Sequence, residues 1–159
     1  MRFALVISTY HDFVTARLAD GARAALRDAG VADADIVAVP VPGAFEIAQA
    51  AHRLASSGDW DAVVCLGCLI RGETPHFDYI ARAAAEGIMR AAQDTGVPVT
   101  FGVLTTNTAE EAMARAGDGD MNKGREAARA AYEMAQLYAG WGRAGAGRAS
   151  RSGASRGHE

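Results

Sequence analysis

The segment Arg71-Gly72-Glu73-Thr74-Pro75-His76-Phe77-Asp78-Tyr79-Ile80 follows an apolar, strand-like run and opens a long helix-like run. Thr74 suits an N-cap, and Pro75 suits the first helical position, where its missing N–H loses no bond. The free amides of such a first turn and the helix dipole together favour an anion. His76 falls in the same turn. The positive end of a helix disfavours an imidazolium and leaves a neutral imidazole able to accept a proton. The chemistry supported here is an anion site with a base beside it; the competing reading is a plain helix cap with a surface histidine.

Three other segments carry candidate chemistry. In Val39-Pro40-Val41-Pro42-Gly43-Ala44-Phe45-Glu46, the Pro-Gly turn lets backbone come close to a ligand. Amides of Ala44 and Phe45 there can read a flat polar ring, and Glu46 can bind hydroxyls; a turn followed by a dipole-matched acid is the bland alternative. In Thr9-Tyr10-His11-Asp12, Tyr10 can stack on a flat ligand, or be an ordinary surface aromatic. Between the last two predicted helices, Arg115 and Lys123 flank Ala116-Gly117-Asp118-Gly119-Asp120-Met121-Asn122. Arg115 suits a phosphate. Lys123 is the only lysine in a chain with fifteen arginines, a weak hint that a compact ammonium is needed there.

The elements that must position these residues alternate. Apolar runs predict strands over Phe3–Ser8, Asp35–Val41, Ala62–Ile70 and Val97–Leu104. Helical spacing predicts helices over Asp12–Ala29, Ala44–Ser57, Pro75–Thr95, Ala109–Ala116 and Lys123–Tyr138, with Gly30 and Gly58 as stops. In the first of these helices Phe13, Leu18, Ala22 and Leu26 form the apolar set. Strands apolar on both faces and alternating with helices predict a three-layer αβα sandwich around a four-stranded parallel sheet, flavodoxin-like. Ligands of such sheets sit at the carboxyl ends of strands, which selects Thr9–His11, Pro42–Glu46, Arg71–His76 and Thr105–Thr108.

Several classes are disfavoured. No Gly-x-Gly-x-x-Gly follows the first strand, and no Walker lysine, metal-binding cluster or recognisable Ser-His-Asp signature is present. Cys65 and Cys68 lie three apart within one predicted strand and therefore point to opposite faces, so buried structural thiols are expected rather than a metal pair or a disulfide. The net charge of −3 divides unevenly. Residues 1–139 carry twelve basic and eighteen acidic groups, whereas 140–159 carry four arginines and one glutamate. An acidic body argues against nucleic acid as the main partner. The Gly/Ala/Ser/Arg-rich end reads as a disordered tail on a single domain of residues 1–139. With no membrane-length apolar run and no signal-peptide pattern, a cytoplasmic protein is expected.

Taken together, Pro42-Gly43-Ala44-Phe45-Glu46-Ile47, the Ile70 to Tyr79 segment, Phe101-Gly102-Val103-Leu104-Thr105-Thr106, Arg115-Ala116-Gly117 and Asn122-Lys123-Gly124 resemble the lumazine synthase family. The resemblance extends in register from Phe3 to Tyr138. It implies condensation of 5-amino-6-(D-ribitylamino)uracil with 3,4-dihydroxy-2-butanone 4-phosphate, releasing phosphate and water without cofactor or metal. By position it implies that Tyr10 stacks on the pyrimidine, while Ala44, Phe45 and Glu46, with the strand end Cys68, Leu69 and Ile70, hold the ring and ribityl chain. Glu73 and Thr74 are implied to bind the phosphate with Arg115 as counter-charge, and His76 to transfer protons. Phe101 and Lys123 are implied to reach the pocket from a neighbouring subunit of a pentamer or from its rim.

The sequence departs from the family pattern at Tyr10-His11, where Phe-Asn or Trp-Asn is common, at Ala48 for proline, and at Ala114 for an acid. The acidic Asp118–Met121 loop and a start close to the first strand favour a pentamer or a pair of pentamers over a sixty-subunit shell. The alternatives to the enzyme are a paralogue that binds a lumazine or flavin without catalysis, an assembly protein, and an ordinary flavodoxin-like protein.

Overall fold

A computed structural model describes the backbone of residues 1–149 and the side chains of residues 1–142. Four strands, β1 (Phe3–Ser8), β2 (Ile36–Val41), β3 (Ala62–Ile70) and β4 (Val99–Thr106), form one parallel sheet in the order β2-β1-β3-β4. The helices are α1 (Asp12–Asp28), α2 (Ala44–Ser56), α3 (His76–Thr95), α4 (Ala109–Arg115) and α5 (Lys123–Ala149), with short 3-10 turns at Asp33–Asp35 and Gly119–Met121. The expected three-layer sandwich is therefore observed.

Each sheet face carries its own apolar layer. Phe3, Leu5, Val64, Leu66 and Cys68 face Leu18, Ala22 and Leu26 of α1 and Ala128 and Ala131 of α5. Ala4, Val6, Val63, Cys65 and Val103 face Ile47 and Ala51 of α2 and Ile88 of α3. Alternation along β1 and β3 produces this division, since successive side chains leave a strand on opposite sides. Burial on both faces matches the near-continuous apolar runs of these strands. The two cysteines consequently sit in different layers, both as free buried thiols.

Several boundaries differ from the sequence-based expectation, β2, α1, α2 and α4 by a single residue at one end and the others as follows. The fourth strand begins at Val99 rather than Val97 and extends to Thr106. Pro98 has no N–H to give the ladder, although its carbonyl accepts from Val63 N–H at 2.9 Å, and pairing in register starts at Val63 with Val99. Helix α3 starts at His76; Pro75 takes φ −70° and ψ 2° before the helix, and its carbonyl accepts from Asp78 N–H. Thr74 is thereby excluded as N-cap, and no side chain caps this helix. Helix α5 continues beyond Tyr138 to Ala149, so the disordered tail expected from residue 140 is helical in its first ten residues, and the remaining 150–159 lie outside the described residues. Phe13, expected on the buried face of α1, is 46% exposed and meets the His11 ring edge-on at 5.8 Å.

Candidate active site

The strand order reverses direction between β1 and β3, and the segments leaving β1, β2 and β3 converge there. Their meeting point is a cavity of about 710 Å³. Tyr10 and His11 follow β1; Gly43, Ala44, Phe45 and Glu46 follow β2; Cys68, Leu69, Ile70, Gly72, Thr74 and His76 follow β3. Each convergence has a local cause. Thr9 N–H donates to Val41 O at 2.8 Å and Tyr10 N–H to Pro42 O at 3.2 Å, which ties the ends of β1 and β2 together. Gly43 precedes α2 in an extended conformation, and Glu46 Oε2 folds back over it, 3.2 Å from where a side chain would project.

At α3, the Pro75 carbonyl accepts from Asp78 N–H at 3.0 Å and from Tyr79 N–H at 3.4 Å. Helix geometry then leaves the His76 and Phe77 amides facing outward from the first turn. Thr74 stands just outside the helix with its hydroxyl uncommitted to capping. The cavity thus combines outward amides, a hydroxyl, an imidazole, a carboxylate and aromatic surface. Tyr10, Phe45 and Tyr79 are 67%, 58% and 73% exposed.

His11 takes φ 57° and ψ 48°, the only non-glycine with positive φ among the described residues. Asparagine tolerates this left-handed geometry better than most residues, which explains why it suits the position next to Tyr10. The His11 ring packs 4.4 Å from that of Tyr10, and partial burial lowers its pKa below the ordinary histidine value. At the cavity floor, burial pushes the Cys68 thiol up to about 11, and the fully buried Cys65 is pushed up further. Neither thiol is available as a thiolate near neutral pH.

Phe101, Arg115 and Lys123 lie elsewhere. They line a separate groove of about 690 Å³ between α3, the open edge of β4 and the start of α5, together with Met89 and Glu126. Within one chain Arg115 does not face Thr74; its Nη1 donates to the Glu111 carbonyl at 3.0 Å. Lys123 Nζ meets Glu126 Oε2 at 2.7 Å. Glu73 lines neither cavity. Of the expected Thr105–Thr108 strand end, Thr105 and Thr106 close β4, Thr105 lines the Arg115 groove, and Thr108 caps α4, its Oγ1 accepting from Glu111 N–H at 3.1 Å.

His11, Gly43 and Gly72 line the cavity within the strand ends selected from the sequence, whereas Phe77, Tyr79 and Ile80 were not singled out as lining residues. Tyr79 and Ile80 were legible in principle, one helical turn beyond His76. The Thr108-x-x-Glu111 capping signature was legible too, although here Glu111 Oε2 receives the Asn107 N–H rather than that of the cap.

The sequence profile described as 6,7-dimethyl-8-ribityllumazine synthase matches residues 1–139. A protein of that name from Salinibacter ruber is 52% identical over 136 residues, covering 86% of this chain and 87% of the relative. Another of that name from Syntrophus aciditrophicus is 49% identical over 137 residues, covering 86% of this chain and 89% of the relative. At such identity over nearly the whole length of both relatives, this chain belongs to the 6,7-dimethyl-8-ribityllumazine synthase family.

Proposed function

We propose that the protein is the riboflavin-pathway enzyme that condenses 5-amino-6-(D-ribitylamino)uracil with 3,4-dihydroxy-2-butanone 4-phosphate, releasing phosphate and water. The observation that carries this reading is the cavity at the sheet's switch point, where a stacking ring (Tyr10), a hydroxyl-binding acid (Glu46), an anion-binding turn (Thr74) and a base (His76) face one space. The pyrimidine stacks on Tyr10 and is read by backbone at Ala44 and Phe45 and along Cys68–Ile70. The phosphate sits at the start of α3, held by Thr74 and by backbone near Glu73. The amine adds to the ketone, His76 moves the proton that must leave, and a held phosphate departs as a stabilised anion.

The groove bearing Phe101, Arg115 and Lys123 belongs to the same reaction but to an adjacent copy's site. Arg115 and Thr74 line different cavities of one chain, and their functions join only if copies pack side by side, groove against cavity. A ring of copies, a pentamer or a pair of pentamers, provides this arrangement in a cytoplasmic enzyme. The family match ends at residue 139, which supports a domain of residues 1–139, although α5 carries the chain on as helix to Ala149.

Mixing both substrates with the protein tests the reading: lumazine absorbance and phosphate should appear together. Much of the acceleration is positioning of two substrates, so His76→Ala should slow turnover rather than abolish it. Wild-type rates in His76→Ala would remove His76 as the base. A yellow protein that releases no phosphate would mean a binding role instead.

A further inference from the structure

Arg71 opens the segment that starts α3 yet lines neither cavity. Its backbone N–H donates to Thr106 O at 2.8 Å. Its side chain divides between two elements. Nε donates to Asn107 Oδ1 at 3.2 Å, on the turn that leads into α4. Nη1 and Nη2 donate to the two Asp78 carboxylate oxygens at 3.5 and 3.3 Å, and the guanidinium lies 4.5 Å from the centroid of the Phe77 ring. A planar fork with a stacking face can make all three contacts at once, whereas an ammonium cannot.

The two elements joined in this way are those that carry the proposed chemistry. Phe77 and Asp78 share the first turn of α3 with His76. Asn107 N–H donates to Glu111 Oε2 at 2.9 Å, and the Glu111 carbonyl accepts from Arg115 Nη1 at 3.0 Å. A hydrogen-bonded path therefore runs from Asp78 through Arg71, Asn107 and Glu111 to Arg115. The side chain of Arg71 is 47% exposed, so its contacts compete with water, and its value lies in geometry more than in stability.

We propose that Arg71 is a positioning residue for the reaction, fixing the His76 turn and the Arg115 helix relative to each other without touching substrate. One Arg71 then sets the alignment of two sites, its own through His76 and a neighbour's through Arg115. The proposal rests on the roles given to His76 and Arg115 above. Arg71 as a direct phosphate ligand is the rival, and its place outside both cavities argues against that.

Steady-state kinetics of the full chain, with melting curves, separate the two. Arg71→Met should lower kcat and raise KM for the phosphate substrate, with about tenfold or more lost in kcat/KM, because small misplacements cost orders of magnitude. Arg71→Lys, lacking the fork, should not restore it. Asp78→Ala cuts the His76 arm and should act mainly on kcat. Asn107→Ala cuts the Arg115 arm and should act mainly on KM for the phosphate substrate. Wild-type constants in Arg71→Met overturn the proposal, as does a loss in Arg71→Met that leaves Asp78→Ala and Asn107→Ala both at wild-type values, which is the signature of a direct ligand. If the parent protein forms no lumazine, the functional reading fails separately. Amide exchange across residues 74–79 then still decides the matter: faster exchange in Arg71→Met supports positioning, and unchanged exchange overturns it.

Discussion

Replacing Gly124 by alanine sets two physical effects of opposite sign against each other. Gly124 lies in the first turn of α5, and helix propensity alone predicts that alanine stabilises by up to about 1 kcal/mol. The tertiary structure predicts the reverse. A Cβ at this position would stand 2.0 Å from the Leu18 carbonyl oxygen, 2.6 Å from its carbonyl carbon and 2.8 Å from its Cα. Ordinary contact begins near 3.4 Å, so α5 and α1 would have to part by more than an ångström. The obstacle is helical backbone and cannot turn aside as a flexible side chain does. Overpacking costs about 1–3 kcal/mol, and this position belongs at the upper end, leaving a net loss of about 2 kcal/mol after the propensity gain. For a chain of this size that corresponds to a fall of roughly 4–8 °C in Tm. Urea or thermal unfolding at matched protein concentration measures it. The same displacement would move Lys123, so on the role proposed for that residue KM should change as well. A Gly124→Ala protein as stable as the parent, or more stable, refutes the close packing of α5 on α1 and with it the placement of Lys123.

Other perturbations have equally definite outcomes. Cys65 and Cys68 should resist alkylation in the native protein at pH 8 and react fully in urea, since burial raises both thiols, Cys68 to about 11; a rapidly labelled native thiol would contradict their burial. His11 has a lowered folded pKa because of desolvation, so its contribution to stability is fully present above the unfolded value near 6.5 and is lost as pH falls through the folded one; an NMR titration midpoint at or above 6.5 would reverse that sign. His11→Asn relieves the left-handed backbone at low cost in packing and should raise stability slightly, by about 0.5 kcal/mol, with a lower urea midpoint counting against the strain. Asp120 is held below the usual aspartate value by its hydrogen bond to Arg129 and that residue's charge, so the pair stabilises above about pH 4 and the effect vanishes as pH falls through the folded value. The stability gap between the parent and Asp120→Asn should therefore narrow as pH falls below about 4.

Local signals placed most elements within a residue or two. β1 and β3 match their predicted bounds because a continuous apolar run flanked by polar residues has few alternative limits. Gly30 and Gly58, with φ of 93° and 82°, stop or follow helices where the sequence marks them. The misplacements have specific causes. Pro98 delayed β4, and Pro75 took the turn position that had been given to Thr74. Phe13 stays exposed beside His11 because it stands five positions before Leu18, off the face on which Val14, Thr15, Leu18 and Ala22 are buried.

The sequence by itself determined which residue types stand at which strand ends, because strand, turn and helix start are adjacent along the chain and each has a local signature. It placed Tyr10, Glu46, Thr74 and His76 at such ends. Only the tertiary structure decided which ends share a space. Parallel pairing in the order β2-β1-β3-β4 joins segments tens of residues apart, and it gathers the ends of β1, β2 and β3 around one cavity. The same pairing leaves β4 at the sheet edge, so Phe101, Arg115 and Lys123 face a different groove. Strand order depends on long-range pairing and on which helix covers which face, and no local spacing encodes it.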